Sequence, residues 1–346
     1  MHMADALLSP AVGTTFWAGT IAVSGYASKK LKEQIDDKLI PLMGVLGAFI
    51  FAAQMINFTI PVTGSSGHLG GGMILAIILG PYAAFLVMAS VLTVQALFFA
   101  DGGLLALGCN IWNLGVYPCF LVYPLIYKPL IGDSKNPGRV FAVSLVSAVV
   151  ALQLGAFSVV LETLLSGKSE LSFGAFMLMM QPIHLAIGIV EGFVTAGVIN
   201  YVRTARPELL DSIALSRPLA AGISLKKVMM TFAVLIVITG GVLSWFASTN
   251  PDGLEWSIAK VTGRGELPEQ EYGVAAVLKA FQEKTAFLPD YGFKSTENES
   301  KKGEAPPFWP GNKAGASVAG ILGAAIVLGA IVLIGMGIKF SRRKRG

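Results

Sequence analysis

Charge is scarce in this sequence. Only 14% of its 346 residues are Asp, Glu, Lys or Arg, against roughly a quarter in a soluble domain. With 54% hydrophobic residues and a mean hydropathy of +0.67, a soluble globular body is excluded and a polytopic membrane protein is expected. Cysteine is nearly absent. Cys109 and Cys119 both fall in one apolar stretch, giving neither a disulfide framework nor a CxxC metal pair. The catalytic signatures HExxH and GxSxG are missing, as is the nucleotide-binding GxxxxGKS/T loop. The glycine-rich stretch at 64–72 lacks the lysine and the preceding soluble strand of a phosphate cradle. The chain is therefore not expected to hydrolyse ATP. A basic leader is lacking too: before residue 29 the side-chain charges reduce to Asp5, and no clear small-residue cleavage site follows the first apolar run. Met1 is expected to remain in the mature protein, with the bulky His2 hindering its removal.

What is present is long apolar sequence. Runs long enough to cross a bilayer, or nearly so, lie at about 10–28, 40–59, 81–100, 104–127, 140–165, 180–202, 228–247 and 316–338. A shorter run at about 69–79 is framed by Gly70-Gly71-Gly72 and Gly80-Pro81. Together they predict an all-α integral membrane protein of nine helices. Basic residues orient it. Lys29, Lys30, Lys32 and Lys38 follow the first helix; Lys128, Lys135 and Arg139 follow the fifth; Arg203, Arg206, Arg217, Lys226 and Lys227 follow the seventh; Lys339 and Arg342-Arg343-Lys344-Arg345 end the chain. Nine crossings put all four groups on one side, expected to be the cytoplasm. The N-terminus is then outside and the C-terminus inside. Dropping the short run would break the alternation.

A boundary is expected near residue 224, separating a membrane domain at 1–224 from a companion at 225–346. The companion has two spans flanking an extracytoplasmic segment, 248–315. That segment holds Pro251-Asp252-Gly253-Leu254-Glu255 and Phe287-Leu288-Pro289-Asp290-Tyr291, whose composition predicts turns, with one amphipathic helix at 271–285. No internal repeat supports an inverted-repeat transporter body. The terminal basic run reads as a stop-transfer anchor touching anionic lipid, and nucleic acid is not an expected partner.

Histidine is the rare residue that clusters. His2, His68 and His184 are the three in the chain. At Met1-His2 a free amine, the next backbone nitrogen and an imidazole offer three nitrogens from two residues, a set suited to Ni(II) or Cu(II). His68 follows Gly64-Ser65-Ser66-Gly67 at the outer mouth of the short helix, on the same side as His2, and offers a fourth nitrogen. His184 and Glu191 are seven residues apart on one helix, so they share a face. Ionisable groups inside a span face a bundle interior or a cavity. His184, near the outer end, is expected to support the site without binding the ion. Glu191, deeper, is expected to bond polar groups of a neighbouring helix. Gln54, Asn57, Gln95, Asn110, Trp112 and Asn113 are expected to knit the bundle.

These residues carry a resemblance. Met1-His2-Met3-Ala4-Asp5-Ala6-Leu7-Leu8-Ser9-Pro10 resembles the MHIxDGxLSP opening of the CbiM/NikM family, the substrate-binding (S) components of energy-coupling factor (ECF) transporters for cobalt and nickel. Gly67-His68-Leu69-Gly70-Gly71 and the His184-to-Glu191 segment are similar to further signatures of that family, and 225–346, with its Pro-Asp-Gly-Leu-Glu, resembles the small N-type companion, here fused. The resemblance implies a seven-helix M body whose N-terminus inserts into its centre. It implies that the ion is held by the Met1 amine, the amide nitrogen and imidazole of His2, and His68, with Asp5 matching the pattern and orienting a ligand. Met3 and Ala6 depart from it, and Ala6 removes backbone freedom just after the chelate. Implied partners are a membrane coupling (T) protein and paired cytoplasmic ATPases, in a bacterial plasma membrane. Small residues Ala18, Ala22 and Gly25 would suit close approach to that coupling protein or ordinary packing within the bundle.

Three functions compete. One is a nickel or cobalt uptake component powered by separate ATPases. The second is a stand-alone secondary permease, for which only Glu191 and His184 offer a coupling-ion path in the core. The third is a membrane enzyme using the ion as a Lewis acid; a saturated planar set leaves it no open position. Amide deprotonation is best offset by a square-planar ion, which favours Ni2+ over Co2+ as the substrate.

Overall fold

The computed structural model describes residues 2–61, 63–168, 170–215, 217, 224–264, 267–268, 273–293 and 313–343. Its architecture is a helical bundle. Ser9 caps the first helix, α1 (Pro10–Gln34), by accepting from the Val12 N–H, with Pro10 opening the helix. α2 (Leu39–Gln54) is apolar on every side and buried throughout all but its first turn. α3 (Gly72–Leu79) is the short helix, starting where the glycines end, and Gly80 and Pro81 separate it from α4 (Pro81–Phe99). α5 runs over Leu107–Ile131; between Trp112 and Tyr127 it winds with the wider π pitch, and Pro118 and Pro124 lie inside that stretch. Proline has no N–H to give the i→i−4 ladder, which accounts for the loosened winding there.

α6 (Pro137–Leu165) and α7 (Phe173–Ala205) form the longest antiparallel pair. A short amphipathic helix, α8 (Pro207–Ala214), follows. It lies in the basic connection that follows the seventh apolar run. The companion comprises α9 (Lys226–Gly241), α10 (Gly253–Thr262), α11 (Val274–Thr285) and α12 (Lys313–Arg343). α12 packs along α2 and against α9. Gly240 and Gly320 meet where α9 and α12 cross: a Cβ on Gly320 would stand 2.4 Å from the Gly240 carbonyl, so only glycine permits that approach.

Among the described residues, five helices are long and apolar enough to cross a bilayer: α4, α5, α6, α7 and Ala314–Ser341 of α12. Among the described residues, the one sheet is a small hairpin, β1 (Phe58–Ile60) against β2 (Ser65–Gly67). It was not expected from the sequence.

The bundle has two unlike ends. Lys32 bonds Ser341, Lys339 pairs with Asp37, Arg203 donates to the Ser134 carbonyl and Arg139 to the Leu130 carbonyl. These basic segments gather at the end of α1, α5, α7 and α12 remote from the histidines. The other end is where the N-terminal strap, the hairpin and the companion's polar segment meet.

Candidate metal centre

Residues 2–8 form a strap laid into the histidine-bearing end of the bundle. Met3, Ala6, Leu7 and Leu8 are buried. The Met3 N–H donates to Asn110 Oδ1 at 2.8 Å, while the Met3 carbonyl accepts from Asn110 Nδ2 at 3.3 Å and from the Gly103 N–H at 2.9 Å. One asparagine amide thus pairs with both backbone groups of Met3, as a neighbouring strand would. Asp5 accepts from the Ala106 N–H at 2.9 Å. The fit is close: a Cβ on Gly103 would overlap the Asp5 carboxylate at 1.8 Å.

The strap brings His2 to His68. Their rings stack at 4.9 Å between centroids, 17° from parallel. His68 leaves β2 and donates from Nδ1 to the Leu69 carbonyl at 3.0 Å, which makes Nε2 the lone-pair nitrogen. Burial pushes both imidazoles down to about 3, so both are neutral at pH 7, the form a metal ligand requires. His2 Nδ1 lies 3.2 Å from Asp101 Oδ1, and its Nε2 is buried with no hydrogen-bond partner. Met1, the remaining expected donor residue, lies outside the described residues. Among those described, no three His, Cys, Asp or Glu side chains converge as a ready-made metal cage. What converges is a pair of imidazoles.

The loop bearing His68 is braced from below. Glu191, 2% exposed on α7, accepts from the N–H groups of Gly70 (2.6 Å) and Gly71 (3.0 Å). The expectation that Glu191 would bond a neighbouring helix is therefore corrected: its partners are loop amides just ahead of α3. A carboxylate suits amides at a helix start, where N–H groups lack intrahelical partners. Gly71 has φ +76°, a left-handed conformation, and any Cβ there would strike Ile50. Gln54 donates to the Gly70 carbonyl at 2.8 Å and accepts from Gln95 at 2.9 Å. Asn113 donates to Glu162, which also accepts from Ser158. Of the polar residues expected to knit the bundle, Gln54, Gln95, Asn110 and Asn113 all serve the strap, the loop or the helix behind them.

His184, 1% exposed, donates from Nδ1 to the Met180 carbonyl at 2.8 Å, leaving a buried Nε2 without a partner. It shares a small cavity with His68, Gly70 and Asp252. It does not touch His2 through any hydrogen bond.

The companion closes the site. The Ser66 N–H donates to the Pro251 carbonyl at 2.8 Å and Ser66 Oγ to the Asn250 carbonyl, docking the Pro-Asp-Gly-Leu-Glu turn on the hairpin. A Cβ at Gly253 would press on Ile183 at 2.5 Å. Asp252 and Glu255 form a reciprocal capping box, so the turn continues as α10. That spacing, Asp-x-x-Glu ahead of an apolar run, was legible and is a helix start as well as a turn. Further on, Gln282 donates to the carbonyls of Ala96 and Gly102, and Tyr291 donates its phenol to Asp101 Oδ2. Asp101, Asn110 and Tyr291 were missed as site residues. Asp101 is pushed upward by burial, with the Tyr291 bond opposing. Left-handed backbone clusters at this contact: φ is +53° at Ala100, +50° at Asp290 and +57° at Tyr291, a density of strain characteristic of functional loops.

Fold and site together define the class: a multi-pass helical membrane protein that holds buried, neutral imidazoles at one end of its bundle. Sequence comparison then makes it specific. The chain belongs to the CbiM family, whose description is "Cobalt uptake substrate-specific transmembrane region" and whose model matches residues 2–209; a PDGLE domain matches 226–340. It is similar to a putative fused nickel transport protein NikMN of Archaeoglobus fulgidus, 32% identical over 95% of this chain and 96% of that one. It is 28% identical to the cobalt transport protein CbiM of Sorangium cellulosum, over 65% of this chain and all of that one. A crystal structure described as a truncated transition metal transporter is 30% identical, with a TM-score of 0.53 over 59% of this chain and 99% of that chain. The protein is thus a membrane transport component of the CbiM and NikMN type.

Proposed function

We propose that this chain is the substrate-binding component for cellular uptake of Ni2+, taken in preference to Co2+. The ion is held by the Met1 amine, the amide nitrogen and imidazole of His2, and the His68 imidazole. The observation that carries this reading is the stacking of His2 on His68, both neutral, at the tip of a strap pinned by Asn110 and Asp5. Ring closure with its own amide nitrogen engages His2 through Nδ1, so loading exchanges the Asp101 contact for the ion. Asp5, His184 and Glu191 act around the ion and not on it: Asp5 fixes the strap, Glu191 fixes the loop, and His184 lines the cavity behind His68.

In this reading the domain boundary lies at 224/225. The histidine end faces outside and the basic end faces the cytoplasm of a plasma membrane, in keeping with the positive-inside rule. Transport is driven by separate cytoplasmic ATPases through a membrane coupling protein. The missing nucleotide loop supports that division of labour, and the exposed small residues Ala18, Ala22 and Gly25 on α1 provide a surface for close helix approach.

Titration calorimetry of Ni2+ into the purified full chain, with and without one extra N-terminal residue, tests the chelate. Binding by the native start and its loss in the extended one are expected. Full affinity in both contradicts it. Nickel uptake into vesicles holding this chain alone, without ATPases, favours a secondary permease instead.

A further inference from the structure

α11 of the companion has three unlike faces. At about 100° per residue, Ala275 and Gln282 share one side of Val274–Thr285, Val274, Val277 and Phe281 a second, and Ala280, Glu283 and Lys284 a third. The first is buried on the body. The third is exposed and ends in a Glu-Lys pair, as suits water. The second is apolar, yet each of its three side chains is more than half exposed.

What lies beside that apolar face follows from where the helix is pinned. Gln282 Nε2 donates to the Ala96 and Gly102 carbonyls, both at 2.8 Å, and the Leu288 N–H to the Phe98 carbonyl at 3.3 Å. Ala96 lies about 4.5 Å inside the Phe99 end of α4, one of the helices able to cross a bilayer. α11 is therefore level with the last turn of a membrane helix. Phe287 continues its apolar side onto that helix: the Phe287 ring, 40% exposed, sits 5.5 Å from Phe98 and 5.9 Å from Phe99, and Leu97 and Phe98 are themselves partly exposed. A second aromatic group stands at the same end of the bundle. Trp245 and Phe246 follow α9 close to the hairpin, where the Ser248 N–H meets the Asn57 carbonyl. Phe246 is 75% exposed, and the Trp245 indole N–H donates to Ser317 on α12. Rings with an apolar body and a bonded polar edge gather at membrane–water interfaces.

We propose that α11 is an in-plane interfacial helix, seated in the headgroup–acyl boundary of the leaflet at the histidine end of the bundle. Val274, Val277 and Phe281 lie in lipid, and Glu283 and Lys284 in water. The occupant is lipid because the face runs without a break, through Phe287 and Phe98, into the outer flank of α4. A helix with one apolar and one charged side, held at the level of a bilayer boundary, is most stable lying in it. The segment between α9 and α12 is then held on two sides, by Gln282 to the body and by Phe281 to the bilayer. This reading does not depend on which atoms bind the metal.

The test is spin labelling of the full chain in nanodiscs of phosphatidylcholine and phosphatidylglycerol. Nitroxides are placed singly at Val277→Cys, Phe281→Cys and Ala280→Cys, against the unsubstituted chain, whose Cys109 and Cys119 are buried. Collisions are measured with oxygen, which concentrates in acyl chains, and with chromium oxalate, which stays in water. The oxygen-to-oxalate ratio should be severalfold higher at 277 and 281 than at 280, placing the first two about 5–10 Å below the headgroup surface. Val274→Cys replaces Phe281→Cys if loss of the ring disturbs folding. Equal ratios at all three positions, or oxalate dominating at 277, overturn the proposal. Dipolar broadening between labels at 277 would give the face to a second copy of the chain and overturn it as well.

Discussion

The two parts of this molecule meet at one point and bring opposite chemistry to it. The body, over 2–209, carries all three histidines and holds them by hydrogen bonds from fixed helices: Asn110 to the strap, Glu191 to the loop, Met180 to His184. The companion carries no histidine. It reaches the same place with carboxylates and one phenol, on turns and short helices. Neutral buried nitrogens discriminate among transition metals by softness and geometry, whereas exposed carboxylates take divalent ions indiscriminately. In the proposed function the difference separates selectivity, which the body's histidines would set, from access, which the companion covers, and each part can be perturbed alone.

The largest effects should come from the body's donors. His2→Ala or His68→Ala should weaken nickel binding by more than about 100-fold, beyond the ~10–100-fold expected for outer-shell partners; calorimetry on the detergent-purified chain reads this. Acidity probes the same donors. Both imidazoles are already neutral, held near 3 by burial, so they release no protons on binding above about pH 4. The amine and the amide each release one. Affinity should then fall by about 100-fold per pH unit below pH 7. A steeper fall would mean that the rings are protonated in the free protein.

Next in size is the brace. Glu191→Gln leaves one of the two loop amides, Gly70 or Gly71, without an acceptor. It should cost about 2 kcal/mol of stability and about tenfold in nickel affinity, read by thermal unfolding and calorimetry together. Loss of affinity without loss of stability would instead put Glu191 on the ion. The smallest effect is expected across the contact of the two parts. Tyr291→Phe removes one hydrogen bond to Asp101 and should change affinity by no more than about tenfold; an effect as large as that of His68→Ala would erase the division between selectivity and access.

The body was readable from sequence because lipid imposes simple rules. Apolar runs became helices near their expected limits, the short run at 69–79 became Gly72–Leu79, and the polar segment at 271–285 became Val274–Thr285. Histidines stand out in a chain that has three. The companion's contribution was not readable, for physical reasons. Asp101 follows a helix end and resembles any solvated loop aspartate; only the fold brings Tyr291, 190 residues away, onto it. Asn110 looks like bundle packing until the strap is laid against it. The hairpin at 58–67 is two strands of only three residues each, Phe-Thr-Ile and Ser-Ser-Gly, too short for a period-2 pattern to stand out. Its stability comes from the Pro251–Asp252 backbone beside it, a tertiary partner that no local pattern reveals.

The central claim is that the start of this chain is itself the nickel ligand. Magnetic susceptibility of the nickel-loaded protein, with its visible absorption spectrum, addresses it most directly. A four-nitrogen planar set containing a deprotonated amide predicts diamagnetic nickel in the native chain, and loss of that signature when a single residue is added before Met1. Paramagnetic nickel in the native chain, or a diamagnetic signature that survives the extension, would contradict the account.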